Sequence, residues 1–180
     1  MSVRLAELFR VLDGHPGRIP VADLERELRG LEIGWDDVAR WARFDDHAYR
    51  RNLMHEGPSY QALVLCWRNG QRSPIHDHRG SSCGVRVVKG VAVETVFERT
   101  PHGFVYATRS NDLAAGAVCA TEDMDIHQVS NIQKDGSDLV TLHVYSPPLL
   151  NMGTYSLFDT AVGQFVDPVH QELYVDGGGI

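Results

Sequence analysis

The chain has 180 residues, 24 acidic against 17 basic side chains for a net charge of −7, and 43% apolar residues. That length suits one domain with a sizeable core, and the acidic balance argues against nucleic acid or an anionic membrane as main partner. No apolar run approaches the roughly 20 residues that span a bilayer, Glu7 and Arg10 stand where an export signal would be apolar, and Cys66, Cys83 and Cys119 are too few and scattered for a disulfide framework. A monomer in a reducing cytoplasm is expected.

The first 45 residues read as helical. Leu5, Leu8, Phe9 and Leu12 recur on one helical face behind Ser2 as N-cap, and Gly14-His-Pro-Gly17 stops the helix. Val21, Leu24, Leu28 and Leu31 form a second stripe, entered at Pro20 and ended near Gly30 or Gly34. Val38, Trp41 and Ala42 suggest a short third helix. From about Tyr49 the period changes to two. Strands are expected at Tyr60–Trp67, Val85–Lys89, Val91–Phe97, Phe104–Thr108, Ala117–Ala120, Ile126–Val129, Leu139–Tyr145, Tyr155–Asp159 and Gln164–Val166. Many short strands divided by Gly, Pro, Asn and Asp indicate an all-β sandwich or barrel with the helices packed against it as one unit, residues 1–45 helical and 46–180 forming the barrel.

Of the nine histidines, His15, His47, His55, His102 and His170 sit in turns or polar stretches and read as surface residues. His76 and His78 differ. Residues i and i+2 of a strand share a face, so both imidazoles would converge on one point, and neutral imidazole is a common ligand of divalent transition metals. Asp77 between them points the other way and is not counted as a ligand.

The spacing Gly70, five residues, His76-x-His78, four residues, Cys83, six residues, Gly90 resembles the first motif of the cupin superfamily, with Cys83 where cupins usually have Glu. Gly116 and His127-Gln-Val-Ser-Asn131 resemble the second, although Glu122 and Met124 stand where Pro and Gly are usual. The resemblance implies a small double-stranded β-barrel with a metal inside, held by His76, His78 and His127. Three neutral imidazoles leave the metal's 2+ charge uncompensated, which favours an anionic substrate ligand such as a thiolate.

Further segments resemble the cysteine dioxygenase family of thiol dioxygenases. Tyr49-Arg-Arg51-Asn-Leu53 is similar to its carboxylate-binding strand, Cys66-Trp67 and Ser73-Pro-Ile-His76-Asp-His78 to its iron-binding region, and Leu142-His143-Val-Tyr145-Ser-Pro-Pro148 to the segment with its crosslink tyrosine. The resemblance implies one Fe(II) per chain and L-cysteine and O2 as substrates, with cysteine sulfinate as product. Arg51 would hold the substrate carboxylate in a planar, charge-assisted fork. Arg50 is its neighbour, but strand alternation turns only one of the two inward, and Tyr49 shares the face of Arg51. Tyr145, His143 and Thr141 would form a polar relay on one strand face, Tyr145 acting on substrate, His143 orienting its hydroxyl and Thr141 steadying His143. The family usually has Ser at this third position; Thr keeps the hydroxyl. Cys83 falls at the crosslinking cysteine, which implies a thioether to Tyr145 in part of the molecules, and Ser146-Pro147 is a candidate cis peptide. Cys66 and Cys119 are expected to be buried thiols.

Relatives that oxidise 3-mercaptopropionate tend to carry Gln in place of Arg51, so arginine favours cysteine. A non-catalytic metal-binding cupin would need neither Arg51 nor a thiol. A zinc or manganese cupin isomerase is disfavoured by the missing cupin Glu and by the His143/Tyr145 pair.

Overall fold

The computed structural model describes residues 2–122 and 125–171; Met124 of the second motif lies outside them. In chain order the elements are α1 (Val3–Asp13), α2 (Val21–Gly30), α3 (Trp35–Val38) with a 3-10 turn at Ala39–Trp41, then β1 (Arg50–Glu56), β2 (Gln61–Trp67), β3 (Ile75–His76), β4 (Ser82–Lys89), β5 (Val91–Arg99), β6 (Val105–Ala114), β7 (Val118–Glu122), β8 (Ile126–Ser130), β9 (Leu139–Ser146), β10 (Met152–Tyr155), β11 (Val162–Phe165) and β12 (Val169–His170). The strands make two six-stranded sheets, ordered β12-β1-β2-β9-β4-β7 and β11-β10-β3-β8-β5-β6. Among the described residues no helix is long and apolar enough to cross a membrane.

The first sheet is buried on both faces, and alternation sorts its side chains. Ala62, Val64 and Cys66 of β2 and Val140, Leu142 and Val144 of β9 face the helices, where they meet Leu5, Leu8, Phe9, Leu12, Leu24 and Leu28. Leu63, Leu65 and Trp67 of β2, Cys83, Val85 and Val87 of β4 and Tyr145 of β9 pack into the other core, between the sheets. α2 lies closely on β4: a Cβ at Gly84 would come within 2.7 Å of Leu28 Cδ1 and 3.1 Å of Leu24 Cβ. Arg86, also on β4, donates to the Leu28 carbonyl at 3.0 Å and so satisfies the C-terminal end of α2 with a cation.

Several elements depart from expectation. β6 extends to Ala114 because Arg109–Asp112 pair with β5 along a polar sheet edge that carries no apolar alternation. The strand expected at Tyr155–Asp159 is instead β10, which begins at Met152 and ends at Tyr155, paired with β11 through Met152↔Phe165 to Tyr155↔Val162. β3 and β12 are two-residue strands too short to carry a periodic signal. His55 is no bare surface residue: its ring stacks on Phe9 at 4.1 Å, fastening β1 to α1. Cys119 is half-buried rather than buried.

Candidate metal centre and pocket

His76 ends β3 and faces His127 of β8 as its direct cross-strand partner. His78, two residues on, reaches the same point. It lies just beyond β3, where the Asp77 amide still donates to the Gly153 carbonyl of β10 at 3.0 Å, and the turn at Arg79 (φ 40°) and Gly80 (φ 95°) follows it. Asp77 is turned away, its carboxylate accepting from the Gly153 amide at 2.9 Å and the Tyr155 hydroxyl at 2.6 Å.

The three imidazoles each offer one ligand atom, and these lie within 4.8 Å of one another. Each ring is held by its Nδ1: His76 at the Pro74 carbonyl (3.0 Å), His78 at the Thr121 hydroxyl (3.2 Å) and His127 at the Glu94 carboxylate (3.0 Å). The Nε2 atoms are thereby left to converge, an outer-partner arrangement usual for metal-ligating histidine. Burial, and then the neighbouring His127, push the His76 pKa down to about 3, and burial holds His78 well below its usual range. A neutral donor set of this kind fits a divalent cation. Glu94 modifies the expectation of an uncompensated site. Burial acts to raise its pKa, but the hydrogen bond from His127 and the Arg109 charge hold it low, so an anion backs one of the three rings.

Arg51, Tyr49 and Tyr145 line the same small cavity as the three histidines. Arg51 is 3% exposed and its register partner is Leu65, so it faces inward while Asn52 turns to the helix side and donates to the Arg43 and Val64 carbonyls. The guanidinium fork is half-engaged: Nη1 donates to the Asp167 carbonyl at 2.7 Å, whereas Nη2 is buried without a hydrogen-bond partner. A buried cationic donor of this kind is costly unless a ligand meets it. Tyr49 stacks on Trp67 with ring centroids 4.2 Å apart and donates its hydroxyl to the Asp167 carboxylate.

The relay is continuous. Trp67 Nε1 donates to Thr141 Oγ1 at 3.0 Å, Thr141 lies 2.9 Å from His143 Nε2, and His143 Nδ1 lies 3.0 Å from the Tyr145 hydroxyl. Trp can only donate, so Thr141 accepts there and keeps its own proton and a second lone pair for His143 Nε2. In the tautomer with Thr141 donating to Nε2, the ring proton sits on Nδ1, donates to Tyr145 and leaves the tyrosine O–H for the cavity. Burial, and then the Arg51 charge, hold His143 well below its usual range, so it stays neutral in this role. Cys83 faces Tyr145 across the β4–β9 register, and burial pushes its thiol pKa up to about 12. The Ser146–Pro147 peptide is cis.

All nine candidate residues therefore surround one cavity or support a residue that does. Sequence reading missed Glu94, Trp67 as relay donor, Thr121 and Asp167. An acidic residue on the same face of β5 as the buried Ala92 was a usable signal for Glu94; nothing in the polar run around Asp167 marked it.

Two packed sheets enclosing three inward histidines make this a double-stranded β-helix protein of the cupin type with a candidate three-histidine metal site. The fold is shared with a protein from Thermus thermophilus (TM-score 0.53, 21% identity, 62% of this chain and 95% of that one). A Klebsiella pneumoniae protein with a double-stranded β-helix domain is also similar (TM-score 0.51, 16% identity, 72% and 87%). The family model of cysteine dioxygenase type I matches residues 21–157, and the chain belongs to that family. It is 30% identical to human cysteine dioxygenase type 1 over 167 residues (88% of this chain, 80% of the human one) and 29% identical to the Danio rerio enzyme over 142 residues (76% and 70%).

Proposed function

We propose that the chain is an Fe(II)-dependent dioxygenase that converts L-cysteine and O2 to cysteine sulfinate, acting as a cytoplasmic monomer with a single barrel domain. The observation that carries this reading is the buried, unpartnered Nη2 of Arg51 in the cavity that holds the three histidines. A small acid entering there would bring its carboxylate to Arg51 and its sulfur to the metal side. Bound iron supplies a point of attachment for the thiolate and the activation of O2; both oxygen atoms end on sulfur, so that RSH and O2 give RSO2H with nothing left over. The chain's own contribution is orientation. Arg51 fixes the carboxylate, the Tyr145 hydroxyl donates into the cavity, and His143, Thr141 and Trp67 hold that hydroxyl's direction.

The test is anaerobic reconstitution with Fe(II), followed by O2 consumption with L-cysteine and 3-mercaptopropionate side by side and product identification by mass. Uptake with cysteine and a product two oxygens heavier is expected. Faster uptake with 3-mercaptopropionate would change the substrate, and no uptake with either thiol in iron-loaded protein would leave a binding role.

The Cys83↔Tyr145 register across β4 and β9 supports the thioether that the resemblance implies, a bond whose formation removes one hydrogen from each residue and passes both to O2. The expected wild-type sample contains a species about 2 Da lighter than the unmodified chain. Cys83→Ser should abolish that species while keeping most of the activity, because Arg51 and the histidines are untouched. Intact-mass heterogeneity that survives in Cys83→Ser would reject the pair.

A further inference from the structure

Asp167 lies beyond the span of the family match, which ends at residue 157. It reaches the cavity because β12 pairs in parallel with β1, Val169 opposite Arg51. Pro168, which follows, favours extended backbone at Asp167. The segment is fastened there twice, by the Arg51 Nη1 bond to its carbonyl and the Tyr49 hydroxyl bond to its carboxylate. Among the described residues Asp167 is the one acidic side chain lining this cavity. Glu94 is occupied with His127, and Asp77 with Gly153 and Tyr155.

One wall of the cavity thus carries a guanidinium and a carboxylate side by side. That pairing complements a ligand bearing both charges. A ligand with a carboxylate alone would satisfy Arg51 but bring a like charge toward Asp167, and like charges brought together in a desolvated pocket are strongly disfavoured.

We propose that Asp167 is a substrate-selecting residue: its carboxylate favours small thiol acids that also carry an α-amino group over those that carry only a carboxylate. The amino group meets it as ammonium on entry and as an N–H donor thereafter. The inference rests on the thiol dioxygenase reading above and deepens it by giving the cavity a group that recognises the amino end of the substrate, beside the preference that the resemblance attaches to Arg51.

The experiment measures kcat and KM for L-cysteine and for 3-mercaptopropionate in the iron-loaded wild type and in Asp167→Asn, Asp167→Ser and Asp167→Glu. Asn keeps an acceptor for the Tyr49 hydroxyl and removes the charge, Ser is a second neutral variant, and Glu keeps the charge. The ratio of kcat/KM for cysteine over that for 3-mercaptopropionate should fall roughly tenfold or more in both neutral variants, the scale of one charge-assisted hydrogen bond. The fall should appear in KM for cysteine, and Asp167→Glu should recover part of the wild-type ratio. Equal losses for the two thiols in the neutral variants, or an unchanged ratio, would reduce Asp167 to a support and overturn the proposal. A wild type that oxidises neither thiol would instead refute the dioxygenase reading itself.

Discussion

Replacing any one of His76, His78 or His127 with alanine should strip the metal from the purified protein and take thiol-dependent O2 consumption to background. Loss of an outer hydrogen-bond partner of a metal-ligating histidine typically costs about 10–100-fold in metal affinity, so loss of one of only three protein ligands should cost more than about 100-fold. The rings are buried and meet within a few ångströms, yet they stand apart from the core that joins the helices to the first sheet. The alanine variants should therefore fold, with cooperative thermal unfolding. Metal analysis and O2 uptake on the same samples check the expectation. Full metal content with wild-type turnover in any one variant would remove that residue from the ligand set.

How far the sequence disclosed this centre depended on whether regular alternation carried each residue to it. β9 was legible throughout: Thr141, His143 and Tyr145 alternate with Val140, Leu142 and Val144, and one set faces the cavity while the other faces the helices. Arg51 and Tyr49 were legible for the same reason. His76 and His78 were legible as an i, i+2 pair with Asp77 turned the other way, although β3 itself ends at His76. Glu94 was visible only as an acidic residue at an inward position, and its effect on His127 needed the β5–β8 register, which sets Val96 rather than Glu94 directly opposite His127. Asp167 was illegible because a parallel pairing between segments far apart in the chain delivers it, and no local pattern encodes that pairing. The edge strand β6 was half-missed because exposed polar strands obey sheet pairing without hydrophobic alternation.

Arg51→Ala should raise KM for L-cysteine roughly 10–100-fold and leave metal content unchanged. The range follows from the geometry. With Nη1 engaged by the Asp167 carbonyl, the free Nη2 is the donor left for a substrate carboxylate, and a hydrogen bond to a charged group contributes about 1.5–3 kcal/mol. The histidines depend on Pro74, Thr121 and Glu94 for their orientation, not on Arg51, which is why binding of metal and binding of thiol acid should separate cleanly. Arg51→Lys should recover only part of the loss. Its single ammonium, on a shorter stem, would have to serve both the Asp167 carbonyl and the incoming carboxylate, where the guanidinium assigns one nitrogen to each. Steady-state kinetics with iron quantified in every sample would check both variants. Unchanged cysteine affinity in Arg51→Ala would place the carboxylate clamp elsewhere, and a parallel loss of iron would mean that the guanidinium supports the metal centre rather than the substrate.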